Sequence, residues 1–201
     1  MCNIWKNKKA NTYPIKLQKQ AIDVLARHGC YYYSVSGGEP TLVKDLPERL
    51  KYSAQKIPYV HLVTNGLIMT PELARSLDNA GIKELSISID GTKKFNDAVR
   101  GLPIAYDKAM NAVETILSNA PNVDIVINSI LTPYNLNELR QLQKILKSFP
   151  SVHQKYLPIT YNKLFQTLNH EQFNIKGFDA APYREINDFI DQAIANPKVV
   201  N

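Results

Sequence analysis

The chain has 201 residues, 44% hydrophobic and 21% charged, which is enough for one buried core and ordinary for a globular protein. Its net charge of +6 is spread over scattered lysines, and the single local run Lys6-Asn7-Lys8-Lys9 reads as a solvated turn, so a nucleic-acid partner is not expected. No apolar stretch approaches the ~20 residues of a membrane-spanning helix, the N-terminus lacks the layout of a secretion signal, and two cysteines make no disulfide framework; a cytoplasmic protein is expected.

Along the chain the hydrophobic period alternates between helix and strand. Leu17, Ala21, Val24 and Leu25 fall on one helical face, and Gly29 follows as a stop. Residues 31–36 are apolar or small throughout, as in a strand covered on both faces. Asp45-Leu46-Pro47-Glu48 carries helix-start signals, with Asp45 as N-cap and Glu48 placed to bond back. Tyr59 to Val63 is the next strand; Thr70-Pro71-Glu72 opens a helix that closes at Gly81. Glu84 to Ile89 is a strand, Tyr106 to Leu117 a helix, and Val123 to Leu131 a strongly β-prone run. Asn135 caps a helix bearing Leu139, Leu142, Ile145 and Leu146; Val152 to Ile159 is a last strand, with Pro158 an awkward member. Tyr161 to Phe178 is polar and irregular, and Tyr183, Ile186, Phe189, Ile190 and Ala193 mark a terminal helix.

This alternation, with short connections and right-handed crossovers, predicts a parallel sheet with helices outside it. A partial (β/α) barrel and an open doubly wound sheet fit the periodicity equally. The chain opens on a helix, as though a strand belonged before it.

The unusual motifs all follow strands, at the C-terminal sheet edge where such folds place their chemistry. Gly37-Gly38-Glu39-Pro40 ends the first strand, Thr64-Asn65-Gly66 the second and Ser88-Ile89-Asp90-Gly91 the third. Paired glycines expose backbone groups to a ligand, and Pro40 biases Glu39 to an extended shape. Such a turn suits an ammonium group, gripped by carbonyls and a carboxylate. Each motif also has a plainer reading: Asp90-Gly91 is a turn signal, Asn65 can bond its own turn, and Arg100 can form an ion pair with Asp97 or Asp90. Asn128 is a candidate polar contact inside a barrel. Cys30 reads as a small core residue, and His28, His61, His153 and His170 show no metal-ligand spacing.

In combination these segments resemble the radical S-adenosylmethionine (radical SAM) superfamily, over roughly residues 1 to 160. Gly37, Gly38, Glu39 and Pro40 match the family's Gly-Gly-Glu-Pro segment, which holds the amino end of the cofactor's methionyl group. Ser86 to Gly91 looks like the fourth barrel strand, and Asn96-Asp97-Ala98-Val99-Arg100-Gly101 resembles a segment that often reads His-Asp-x-x-Arg-Gly, with Asn96 in the histidine's place. The resemblance implies cofactor-binding roles for Gly37, Gly38, Glu39, Pro40, Asn65, Ser88, Asp90 and Arg100. Ser88 would meet the ribose or carboxylate, and Arg100 the carboxylate, for which its planar fork is suited.

Cys2 resembles the third cysteine of the family's Cys-x-x-x-Cys-x-x-Cys loop, and so a metal ligand; the other two would precede Met1. The implied fold is a partial (β/α) barrel of the radical SAM type lacking its first strand, in a single domain of residues 1–201: a recognisable core to residue 160, then an irregular segment and a terminal helix. The implied cofactors are a 4Fe–4S cluster and S-adenosylmethionine. The implied reaction is reductive cleavage of S-adenosylmethionine to methionine and a 5′-deoxyadenosyl radical that abstracts hydrogen from a substrate. The pattern is nearest the branch of peptide-modifying, sulfatase-maturating and molybdenum-cofactor-synthesis enzymes. A small molecule or peptide would be the substrate and a reductant protein the electron source. The missing cysteines support a second expectation, a non-catalytic remnant that keeps the scaffold and binds at most an adenosyl ligand or partner chain.

Overall fold

A computed structural model describes residues 12–158 and 180–200. Five strands, β1 (Tyr32–Val35), β2 (Tyr59–Thr64), β3 (Glu84–Ser88), β4 (Asp124–Leu131) and β5 (Val152–Pro158), form one parallel sheet in the order β1-β2-β3-β4-β5. Between and around them run α1 (Ile15–Arg27), a 3₁₀ turn at Pro40–Leu42, α2 (Leu46–Ala54), α3 (Pro71–Ala80), α4 (Lys93–Arg100), α5 (Ala105–Asn119), α6 (Leu136–Leu146) and α7 (Ala180–Ile194). The strand order never reverses, so the sheet has no switch point of the doubly wound kind. Each crossover steps one strand onward in the same direction, as in a barrel wall.

Register separates the two faces. Val60, Leu62, Leu85, Ile87, Ile125 and Ile127 alternate onto one face, where Leu50, Leu77, Ala109, Val113, Ile116 and Leu142 of the helices close a single core over them. The opposite face carries Tyr32, Ser34, His61, Glu84, Ser86, Ser88, Asn128 and Lys155. It is polar. A second cluster packs Phe189 and Ala193 of α7 against Leu131, Leu136 and Leu139.

Helix ends follow local chemistry in part. The Thr70 side chain accepts a hydrogen bond from the Leu73 N–H, and Gly81 ends α3 at φ 82°, both as the sequence predicts. Four expectations need correction. Residues 31–36 are not covered on both faces: β1 alternates exposed and half-buried residues, because helices close only one side of the sheet. The α1 face that meets α2 is set by Ile22 and by polar ties, Gln18 to Arg49, Lys19 to Glu48 and Asp23 to Tyr52, so Leu17, Val24 and Leu25 stay exposed. Asp45 makes no cap hydrogen bond; its carboxylate instead holds Arg49 through both oxygens at 2.7 and 2.8 Å. Asn135 likewise stands at the α6 N-cap without capping it. Cys30 precedes β1, half-buried against the core, with its thiol donating to the Tyr32 carbonyl. The segment Tyr161–Phe178 and the residues Cys2, Ile159 and His170 lie outside the described residues.

Candidate functional site at the C-terminal sheet edge

The parallel strands bring three turns to one edge, and buried polar side chains tie them in pairs. At the end of β1, Glu39 is held extended (φ −129°, ψ 108°) by the proline that follows, and its carboxylate reaches across to β2. Oε1 accepts from the Thr41 N–H at 3.1 Å, the Thr41 hydroxyl at 2.6 Å and the Thr64 hydroxyl at 2.6 Å. Oε2 accepts the Asn65 N–H at 2.8 Å. Glu39 is therefore a clamp between two strand ends, with acceptor capacity left on Oε2.

The glycines of this edge differ in what requires them. At Gly66 (φ 75°) an added Cβ would come within 3.1–3.3 Å of Ala109, Ala112 and Ile87, and at Gly91 within 2.8 Å of Glu138. Those two are set by crowding. Gly37 (φ 144°) and Gly38 are the reverse: no atom lies within 4 Å of an added Cβ at either, and Gly38 has no positive φ. Nothing in the protein demands a glycine at Gly38. The paired residues leave open backbone on a rigid clamp, which is the arrangement by which a chain grips a ligand through its main chain.

The third turn is built around Asp90, which is 3% exposed. Its Oδ2 pairs with Arg100 Nη2 at 2.6 Å, its Oδ1 accepts the Ile130 N–H at 2.9 Å, and its own N–H donates to Asn96 Oδ1 at 2.9 Å. Asn135 Nδ2 donates to the Asp90 carbonyl at 3.0 Å and to the Ile130 carbonyl at 2.7 Å. Arg100 ends α4, which the sequence reading treats as a motif and not as a helix. Two buried donors of this knot have no partner, Arg100 Nε and Asn96 Nδ2. Native structures seldom leave such groups unpaired.

Of the candidate residues, Gly37, Gly38, Glu39, Pro40, Asn65, Ser88, Asp90 and Arg100 thus share one sheet edge. Asn65 Oδ1 accepts the Leu67 N–H at 2.9 Å, the turn bond that residue type favours. Ser88 sits in register opposite Asn128. Thr64 at the end of β2, Asn96 within α4 and Asn135 before α6 shape the edge as much as these; in the sequence they stand out only as a turn residue, a motif position and a helix cap. The donor set fits an amino acid: open carbonyls and a carboxylate for an ammonium, and a guanidinium nitrogen in need of an acceptor for a carboxylate. A cluster is another matter. Among the described residues no group of three His, Cys, Asp or Glu is placed to hold a metal.

Lower on the polar face lies a second, internally satisfied network. His61 Nδ1 meets the Tyr32 hydroxyl at 2.6 Å and the Ser34 hydroxyl at 2.9 Å, and Nε2 meets the Ser86 hydroxyl at 2.8 Å and Glu84 Oε1 at 3.2 Å. The Tyr59 hydroxyl donates to Glu84 Oε2 at 2.8 Å. Burial holds the His61 pKa below its ordinary value against the opposing pull of Glu84, with Lys155 acting in the same direction as burial. Burial, then the bond to Glu84, raises the Tyr59 pKa.

A parallel barrel wall with its polar and glycine-rich turns gathered on one edge defines a (β/α) protein, and that edge is where such folds place their chemistry. The profile of the radical SAM superfamily matches residues 1–146, and the chain belongs to that superfamily. The mycofactocin maturase MftC of Mycolicibacterium smegmatis is 38% identical over 122 residues, 60% of this chain and 31% of that protein. The Fe-coproporphyrin III synthase of Methanosarcina barkeri is 38% identical over 95 residues, 47% of this chain and 24% of that protein. The match thus spans about a quarter to a third of the length of these relatives. Among solved structures, Streptococcus suis SuiB bound to S-adenosylmethionine superposes with a TM-score of 0.75 at 17% identity, over 94% of this chain and 43% of that one. Native anSMEcpe with bound AdoMet gives 0.69 at 17% identity, over 97% and 57%. These superpositions place the chain in the fold, a partial barrel of the family type. Among the described residues no helix is long and apolar enough to cross a membrane.

Proposed function

We propose that this chain is the core of a radical SAM enzyme and that the edge built by Glu39, Asp90 and Arg100 binds S-adenosylmethionine. The observation that carries the reading is the open Gly37-Gly38 backbone set on the Glu39 clamp, in a chain of this family. When bound, S-adenosylmethionine and a reduced 4Fe–4S cluster supply a 5′-deoxyadenosyl radical, formed together with methionine by one-electron reduction, that removes a hydrogen atom from a substrate.

The carbonyls of Gly37 and Gly38 and the spare capacity of Glu39 Oε2 would take the ammonium, and Pro40 fixes the exit of that turn. Arg100 would present Nε to the carboxylate while Asp90 holds its other end; Asp90 is in that sense a positioning residue. Ser88 and Asn65 would border the ribose side. Cys2 would be a cluster ligand. Residues 1–201 are taken as one domain, which the packing of α7 on α6 and β4 supports.

SuiB has been solved with the precursor peptide SuiA, and MftC is named a maturase; by that likeness a peptide or small molecule is the substrate, with a reductant protein as electron source in the cytoplasm. The test is anaerobic reconstitution with iron and sulfide, addition of dithionite and S-adenosylmethionine, and quantification of 5′-deoxyadenosine against a Cys2→Ala control. Formation above the control supports the enzyme. Its absence favours the second reading, a scaffold that retains at most a ligand site.

A further inference from the structure

The polar face of the sheet divides into two halves with different chemistry. In the β1–β3 half, each polar side chain of the His61 network finds a partner within the protein. Across β3–β5 this is no longer so. Ser88, Asn128 and Lys155 stand in one row by register, Ser88 opposite Asn128 and Asn128 opposite Lys155. Asn128 is 9% exposed, and its Oδ1 is buried with no hydrogen-bond partner. One layer below, His153 Nδ1 is also buried and unpartnered, on the same face as Lys155 two residues on. Lys155 is half-buried and makes no ion pair among the described residues.

A buried amide oxygen without a donor carries a desolvation cost of about 1–3 kcal/mol. A half-buried ammonium with no counter-ion among the described residues adds to it. Both lie on the polar face, in one row with Ser88 at the edge proposed for the cofactor. The pattern asks for a ligand that offers an N–H or O–H donor to Asn128 and an anionic oxygen to Lys155. Neighbouring strands lie about 4.8 Å apart. Register sets Asn128 and Lys155 side by side on adjacent strands, within reach of one small ligand, and an acylated α-amino acid, with its amide N–H one carbon from its carboxylate, offers both groups.

We propose that Asn128 and Lys155 form a substrate subsite, with Ser88 at its border, that recognises an acylated amino acid: Asn128 Oδ1 accepts the amide N–H and the Lys155 ammonium takes the carboxylate. The inference deepens the enzyme reading above by naming a substrate class beside the cofactor edge. His153 closes the floor of the subsite.

The probe is N-acetylglycine, titrated into the ¹⁵N-labelled 201-residue chain while the Asn128 side-chain amide signals are followed. Saturable displacement is expected with N-acetylglycine, at least about fivefold weaker affinity with acetate, which lacks the donor, and none with N-acetylglycinamide, which lacks the charge. Lys155→Met should weaken N-acetylglycine about tenfold or more, and the dispersed spectrum of that variant shows whether it is folded. No saturable displacement, equal response to the acid and its amide, or unchanged affinity in folded Lys155→Met would each overturn the subsite. S-adenosylmethionine titrated into the same sample reports the cofactor reading separately. Binding of N-acetylglycine that Lys155→Met abolishes supports the subsite even where the cofactor fails to bind.

Discussion

Glu39 at the end of β1 and Thr64 at the end of β2 are joined by a hydrogen bond of 2.6 Å from the threonine hydroxyl to Oε1, so the acidic residue of the glycine-rich turn also fastens two strands. The same carboxylate receives the Asn65 N–H. A ligand at this turn thus meets a fixed carboxylate whose position owes nothing to the ligand, which is the preorganisation that keeps binding from costing side-chain entropy.

Replacing Glu39 should loosen that edge. Hydrogen bonds to a charged acceptor contribute about 1.5–3 kcal/mol each, and Glu39→Ala removes four while the partly exposed turn lets water replace some. We expect a loss of about 2 kcal/mol in urea unfolding and faster hydrogen exchange at the Asn65 amide. Exchange at Asn65 as slow as in the unaltered chain would show that the clamp does not order the turn.

Gly66 and Gly38 should respond in opposite ways. Gly66→Ala forces a positive φ on a residue with a Cβ and presses it within about 3.2 Å of α5 and Ile87. A loss of more than about 1 kcal/mol is expected. Gly38→Ala meets open space; stability within about 0.5 kcal/mol of the unaltered chain is expected. Equal destabilisation by the two would contradict the division into crowded and ligand-facing glycines.

Asp90 and Arg100 form a partly buried pair, and removing one partner strands the other. Asp90→Asn should cost about 3 kcal/mol, since it leaves the Arg100 guanidinium without a counter-charge in a site where Nε already lacks a partner. Arg100→Lys should be only partly tolerated, because an ammonium cannot reproduce the planar fork. Thermal unfolding of the two variants decides this; indifference to Asp90→Asn would show that the pair is solvated.

The His61 network makes stability pH-dependent. Its folded pKa lies below the usual 6.5, so below that pH the unfolded chain binds more protons than the folded one. Stability is then fully present above pH 6.5 and declines as pH falls from 6.5 through the lower folded value. Urea midpoints at pH 7.5 and 5.5 should differ more in the unaltered chain than in His61→Gln. The same difference in both would assign the acid sensitivity elsewhere.

Much of the fold is legible in the sequence because the strands are β-prone runs and every helix but α4 shows its own period or cap signals. Sequential strand order is the part that periodicity leaves open, since it depends on which neighbour each strand selects. The motifs at the edge are legible for a topological reason: in a parallel sheet everything that follows a strand lies on one side. The polar face is obscured in the sequence because residues 31–36 are apolar or small throughout. Tyr32, Ser34 and Ser36 in fact alternate with Tyr33 and Val35, and the same period of two recurs in His61, in Glu84-Ser86-Ser88 and in Asn128. The roles of Asp45 and Asn135 escaped for another reason. Both carry cap-forming side chains, but Arg49 draws the Asp45 carboxylate, and Asp90, Ile130 and Thr132 draw the Asn135 amide; tertiary partners outcompete the local bond.

Whether the open glycine pair on the Glu39 clamp binds S-adenosylmethionine is decided by calorimetric titration of the cofactor into the reconstituted chain and its Gly38→Ala variant. We predict saturable binding to the unaltered chain and an affinity at least about tenfold lower in the equally stable variant, where a methyl group occupies the open turn. Binding of equal strength in both, or none in either, would contradict the claim.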